Sequence, residues 1–200
     1  MSPPEIPPLP PGVLDDLRRR HAAPGRHYHT WSHVEALLAH LDAERDATED
    51  PAALALAIVF HDAVYDPRAA DNEVRSAELA LAALAGHVEP DRIARVRRLV
   101  LATQAHRVPE TAPPGEAGDT ARLLDWDLAI LGAGPEGFAA YEAGIRAEYA
   151  HVPMPAYRAG RTAVLQSFLD RAPLYLTESA RARYEALARG NLQRAILALA

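Results

Sequence analysis

Residues 52–60 read AALALAIVF, nine apolar side chains in a row. Asp50-Pro51 stands before them as an N-cap and a first-turn proline, so the run is expected to be a helix. A helix that is apolar on every side has no face to offer water and belongs at the centre of a fold. The run ends abruptly in His61-Asp62, turns apolar again at Ala63 and Val64, and closes with Tyr65-Asp66-Pro67. A buried charge is costly unless something pairs with it. Asp62 therefore either meets a cation or stays out of the interior.

The rest of the chain is organised around such a helix. Val13 to His21 makes a short first helix, and Val34, Leu37, Leu38 and Leu41 form one apolar stripe at helical spacing. Ser32-x-x-Glu35 has the form of a capping box, with Thr30 as the competing cap. Asp71 is expected to cap a helix running to Ala85 with Gly86 as its stop, and Asp91 another running to His106. "RVPETAPPGEAGD" reads as loop from its proline and glycine content. Helices follow over Thr120–Leu131, Pro135–Tyr149, Pro155–Arg171 and Thr177–Ala198. No stretch alternates with the period of a strand, and no repeat stands out. The fold class is all-α, about eight helices in one domain over residues 13–200, after a Pro-rich, flexible N-terminus over residues 1–12.

Composition narrows the function classes. The chain has 200 residues, 49% hydrophobic, and a net charge of −6. An acidic balance argues against a large nucleic-acid surface. There is no cysteine, which excludes disulfides, thiolate metal sites and a thiol nucleophile. There is no lysine either, which excludes a P-loop and Schiff-base chemistry. No apolar segment reaches the roughly 20 residues of a membrane span, and "MSPPEIPPLPPG" lacks the features of a signal peptide. A cytoplasmic protein with no membrane partner is the expectation.

Three places offer chemistry. "RHYHTWSHV" holds His27, His29 and His33; His29 and His33 are four apart, and His33 lies one turn before Leu37 beside the apolar stripe. His61-Asp62 is the second. Imidazole and carboxylate suit hard or borderline divalent metals, and two consecutive residues reach one ion only where a helix ends or bends. "RLLDWDLAILG" is the third. On an ideal helix Asp127 shares a face with Leu123, Leu124, Ile130 and Leu131, which makes it the inward carboxylate and leaves Asp125 either solvated or a carboxylate that supports a ligand from behind. His21, His40, His87 and His151 sit in polar or terminal settings and read as ordinary. Arg26, in the turn before the His cluster, is a candidate for a phosphate oxygen through its guanidinium fork. His106 is a candidate for phosphate or for a second metal ion. Asn72 and Glu73 open a helix, where an acid is favourable in any case.

The order His33, then His61-Asp62, then Asp127, on an all-α chain, resembles the HD-domain superfamily of metal-dependent phosphohydrolases. "FHDAVYDP", "DNEVRSAELA", "LATQAH", "DWDLAILG", "IRAEYAHVP", "YRAGR" and "LARGNL" resemble, in order, segments of its predicted bacterial phosphohydrolases. The resemblance implies one HD-type helical bundle with His33, His61, Asp62 and Asp127 on one divalent ion (Mn, Mg, Co, Ni, Zn or Fe), a second ion being left open. It implies hydrolysis of a phosphate ester or a nucleotide-type phosphate through a metal-activated water, on a small phosphorylated substrate. It also places Glu73 and Asp66 beside the substrate or as base, with Asn72 bordering it. "YHTWSH" is similar to the Tyr-His-Asn-x-x-His stretch of cyclic-nucleotide phosphodiesterases, with Thr30 in place of the Asn; this implies His29 as the general acid. Two other classes stay open: a di-iron HD-type oxygenase, which needs more His ligands than His87 and His106 supply, and a non-catalytic, metal-stabilised nucleotide-binding module. Substrate, metal identity and oligomeric state stay open as well.

Overall fold

The computed structural model describes residues 6–200, so the first five residues of the Pro-rich lead-in lie outside it. The described residues are helical and contain no strand. Nine α-helices follow in order: α1 Val13–His21, α2 Trp31–Glu44, α3 Pro51–Phe60, α4 Asn72–Leu84, α5 Pro90–Thr103, α6 Pro114–Asp127, α7 Pro135–Glu148, α8 Met154–Leu169 and α9 Glu178–Leu199. None of them is long and apolar enough to cross a membrane, among the described residues. The chain divides into two compact units, one ending at Leu124 and the other beginning at Asp125, so the division falls inside α6.

In the first unit α3 is the central helix that its sequence demands. Every residue from Ala53 to Phe60 is buried. The Asp50 carboxylate caps it by accepting the Ala53 N–H at 2.9 Å, with Pro51 in the first position. The buried stripe of α2 (Val34, Leu37, Leu38, Leu41) packs against α3, as does α5 through Val96, Leu99 and Val100. α4 packs on α5 and ends with Gly86 at φ 75°, the left-handed stop that glycine adopts without a Cβ penalty.

Two boundaries near the site differ most plainly from the sequence reading. α6 begins at Pro114, six residues before the expected Thr120, inside the stretch read as loop. Pro114 is pre-organised for a first helical position, and the Pro113 carbonyl accepts the Glu116 and Ala117 N–H groups at 2.9 and 3.0 Å. Arginines three apart on α5 then hold this first part of α6. Arg98 makes a bidentate pair with Glu116 at 2.7 and 2.6 Å, and Arg95 reaches Asp119 at 2.7 Å. Asp119 also accepts the Glu49 and Asp50 N–H groups, both at 2.9 Å, tying α6 to the entrance of α3. The second difference is α5, which ends at Thr103 rather than at His106; His106 lies beyond it with φ 48°.

The second unit has its own core of Leu128, Leu131, Phe138, Leu165, Leu174, Tyr175, Ala188 and Leu192, drawn from α7, α8, α9, the segment between α8 and α9, and the short 3-10 turn Ala129–Gly132 with Leu128 before it. Gly132 is a close-approach glycine: a Cβ there would lie 2.7 Å from Tyr184 Cβ on α9. Arg161, buried on α8, pairs with Glu142 on α7, and its guanidinium lies over the Tyr141 ring at 5.1 Å. Tyr141 packs against this core, as its helical spacing with Ile145 and Tyr149 predicts.

Candidate metal centre

The all-apolar helix ends at Phe60, so His61 is its C-cap residue and Asp62 the first residue past it. That exit gives two consecutive side chains a common direction, which no helix interior allows. His61 is fully buried. Its Nδ1 lies 2.8 Å from the Ile58 carbonyl oxygen. A carbonyl only accepts, so Nδ1 carries a hydrogen, and in the neutral ring Nε2 presents a bare lone pair. That Nε2 stands 3.1 Å from Asp62 Oδ2 and 3.2 Å from Nε2 of His33 on α2, and His33 Nε2 is 3.8 Å from Asp62 Oδ2.

Three electron-pair donors thus meet at one point in a largely buried site, a group able to hold a metal ion. Without a cation at least one proton has to occupy that point, since lone pairs facing one another repel. The spacing fits an ion. Metal–ligand bonds of about 2.0–2.2 Å put neighbouring ligand atoms about 3.0 Å apart in an octahedron and about 3.4 Å apart in a tetrahedron. Two imidazole nitrogens and one carboxylate oxygen suit Zn, Mn, Fe, Co or Ni alike. The Asp62 carboxyl responds to any proton held there, which makes a facing imidazole cationic. Burial pushes it up, but the His61, His29 and His33 imidazoles facing it more than offset this and hold it well below the usual carboxylate range.

Arg26, expected on a phosphate oxygen, is turned toward the backbone. It donates to the carbonyls of His29 at 2.9 Å, Asp62 at 2.8 Å and Ala63 at 3.2 Å. It therefore clamps the His29 segment onto the end of α3, where the last carbonyls of a helix attract a cation. His29 is not on a helix, because α2 begins at Trp31 with Thr30 in the N-cap position. Its ring is nevertheless 6.0 Å from that of His33, edge to face. The expected capping box does not form; the Ser32 hydroxyl pairs with that of Thr30 at 2.8 Å.

Asp66 and Asn72 serve the loop that follows Asp62. The Asn72 amide accepts the Asp66 N–H at 3.0 Å and donates to the Asp66 carbonyl at 2.9 Å, while Asp66 Oδ1 accepts the Arg68 N–H at 2.9 Å. Glu73, half-buried in the first turn of α4, makes no hydrogen bond or ion pair among the described residues. His106 is half-buried in the turn after α5, where Gln104 donates to the Ala70 carbonyl at 3.1 Å.

The carboxylates of α6 are placed opposite to the sequence expectation. Asp125 is the buried one, at 2% exposure, and Asp127 is only half-buried. α6 ends at Asp127, so Ile130 and Leu131 lie on the 3-10 turn and do not extend the face assigned to it. Asp125 instead accepts the Leu176 N–H, the Thr177 N–H and the Thr177 hydroxyl, each at 2.7 Å, and so fixes the entrance of α9. Burial raises its carboxyl, with these hydrogen bonds opposing the rise. Asp127, the fourth expected ligand, belongs to the unit that begins at Asp125, and the group described above comprises His33, His61 and Asp62.

The sequence reading also missed His21. It is buried, its Nδ1 donates to the Leu17 carbonyl at 2.9 Å, and its Nε2 has no hydrogen-bond partner among the described residues. The signal was there: Leu14, Leu17 and His21 follow one helical stripe. No family model matches the chain, and neither a curated protein nor a solved structure matches it.

Proposed function

We propose that the chain is a metal-dependent phosphohydrolase acting on a small phosphorylated substrate, a phosphate ester or a nucleotide-type phosphate. The observation that carries this reading is the convergence of His33 Nε2, His61 Nε2 and Asp62 Oδ2 within 3.8 Å, with the His61 tautomer set by Ile58. A divalent ion bound there supplies Lewis acidity toward a phosphoryl oxygen and lowers the pKa of a water. The chain's own residues do the rest. His33, His61 and Asp62 orient the ion, and Asp127 is the fourth ligand we assign, on its place in the ordered sequence set. His29, beside His33, delivers a proton to the leaving oxygen, a task suited to an imidazole at neutral pH. Glu73 is the carboxylate we assign to the substrate side, since Asp66 is committed to its own turn. Arg26 acts by holding His29 and Asp62 in register.

The test is the metal content of the purified chain, by element, beside Asp62→Ala. The expected result is about one Mn, Mg, Co, Ni or Zn per chain, lost in the variant, with phosphate release from at least one compound in a panel of nucleotides and phosphomonoesters. Two irons per chain would assign the site to dioxygen chemistry instead. A bound ion without any cleavage across the panel would leave a metal-stabilised binding module. No metal in either protein after soaking with Mn²⁺ removes the centre altogether.

A further inference from the structure

His29 sits on the irregular segment between α1 and α2, where no helix fixes its side chain. Its imidazole is stacked on the Tyr65 ring, with centroids 4.4 Å apart and planes at 30°. The Arg26 guanidinium also lies over that ring at 5.3 Å. Tyr65 belongs to the loop after Asp62, and the backbone is pinned on both sides of it. Before it, the Ser76 hydroxyl accepts the Val64 N–H at 3.0 Å and reaches the Val64 carbonyl at 3.3 Å. After it, the Asn72 amide takes both the N–H and the carbonyl of Asp66. Asn72 and Ser76 are four apart on α4, so one helix face carries both pins. Ser76 is fully buried, and both of its bonds are spent on this one peptide position. Two bidentate side-chain staples flanking a single half-buried tyrosine are far more than a surface loop needs. Their common effect is to fix where the Tyr65 ring stands.

We propose that Tyr65 is the positioning residue for His29: its ring, pinned from α4 by Asn72 and Ser76, sets the direction in which the imidazole faces. The catalytic consequence rests on the hydrolase reading above; the positioning itself does not. Proton delivery needs the imidazole within hydrogen-bond reach of the leaving oxygen, so a ring free to rotate loses rate only where the leaving group needs a proton. A p-nitrophenolate leaves without help, whereas a ribose or alkyl alkoxide does not.

Two measurements on the full-length chain test this. The first is the His29 ring proton resonances in histidine-labelled, metal-free protein, assigned with His29→Ala. Ring stacking shifts them upfield; Tyr65→Phe is expected to keep that shift and Tyr65→Leu to lose it. The same His29 shifts in Tyr65→Leu as in the wild type would overturn the proposal. The second is the rate on an alkyl or nucleoside phosphate relative to the p-nitrophenyl ester, with the ion bound. Tyr65→Leu is expected to lower this ratio about tenfold, part of the hundredfold or more that a well-placed general acid contributes, with KM little changed and Tyr65→Phe restoring it. In a His29→Ala background Tyr65→Leu should add nothing further. An equal loss on both esters, or an undiminished loss in the double variant, refutes the positioning role in catalysis. If the wild type cleaves neither ester, the hydrolase reading falls while the resonances still decide the positioning.

Discussion

His21 gives the most direct physical test of the fold around the centre. Burial pushes its imidazole down to about 4 from an ordinary 6.5; the hydrogen bond to Leu17 pulls it back up, Arg26 and His61 push it further down, and Asp62 opposes them. The sign follows from which state takes the proton. Above about pH 6.5 both folded and unfolded chains hold a neutral ring, and the group adds no pH dependence. As the pH falls from 6.5 toward 4 the unfolded chain takes up a proton that the folded one refuses, so stability is lost. At pH 5 the loss is about 2 kcal/mol relative to pH 8, and it approaches about 3 kcal/mol below pH 4. The perturbation is His21→Phe, which keeps a ring against Trp31, whose centroid is 5.6 Å away, but cannot titrate. Urea unfolding of both proteins in EDTA, followed by circular dichroism from pH 8 to pH 5, isolates the term. The free-energy advantage of the wild type should shrink by about 2 kcal/mol over that range. Two parallel pH curves would refute the argument, because they would mean that His21 titrates alike in both states.

Four further substitutions read individual contacts. Asp125→Ala removes the acceptor of three hydrogen bonds at the entrance of α9 and should cost about 3 kcal/mol, seen as a lower urea midpoint. Gly132→Ala places a methyl 2.7 Å from Tyr184 Cβ and 3.0 Å from its Cα, backbone that cannot swing aside, and should cost about 1–3 kcal/mol by the same assay. Asp119→Ala strands two backbone donors and leaves Arg95 with Glu49 at 3.4 Å as its remaining carboxylate, and should cost about 3 kcal/mol; Asp16→Ala, whose partners Arg19 and Arg20 are solvent-exposed, should stay within about 1 kcal/mol.

Local pattern was a sound guide where burial alone decides. A nine-residue apolar run has only one place to go, and α3 is buried from Ala53 to Phe60. His61 and Asp62 were legible for the same reason, as polar side chains ending such a run. The reading failed where a partner distant in sequence decides. An ideal helical wheel ranked Asp127 above Asp125, yet what buries Asp125 is a pair of backbone N–H groups some fifty residues away. "PPGEAGD" carries two glycines and two prolines and reads as loop; Arg98 and Arg95, on another helix, make helix of it by holding Glu116 and Asp119. The i,i+4 spacing of His29 and His33 suggested one helix, but α2 starts only at Trp31. Contacts to Tyr65, Tyr28 and the Arg26 clamp bring His29 to the site instead.

The loop leaving α3 shows why the centre sits where it does. The Asp62 and Ala63 carbonyls are held by Arg26, both ends of Val64 by Ser76, and both ends of Asp66 by Asn72. Ordering one residue's backbone costs about 1–2 kcal/mol, so leaving the five residues of 62–66 free would add roughly 5–10 kcal/mol to any event that had to order them. Here folding has already met that cost, through side chains from α4 and from the segment before α2. A loop ordered in advance leaves an ion only its own dehydration and the displacement of a proton to overcome. The same wiring predicts a specific separation. Ser76→Ala should weaken metal binding without removing any ligand, and a Kd unchanged from wild type by calorimetry would show that α2 and the end of α3 hold the ligand triad without the loop.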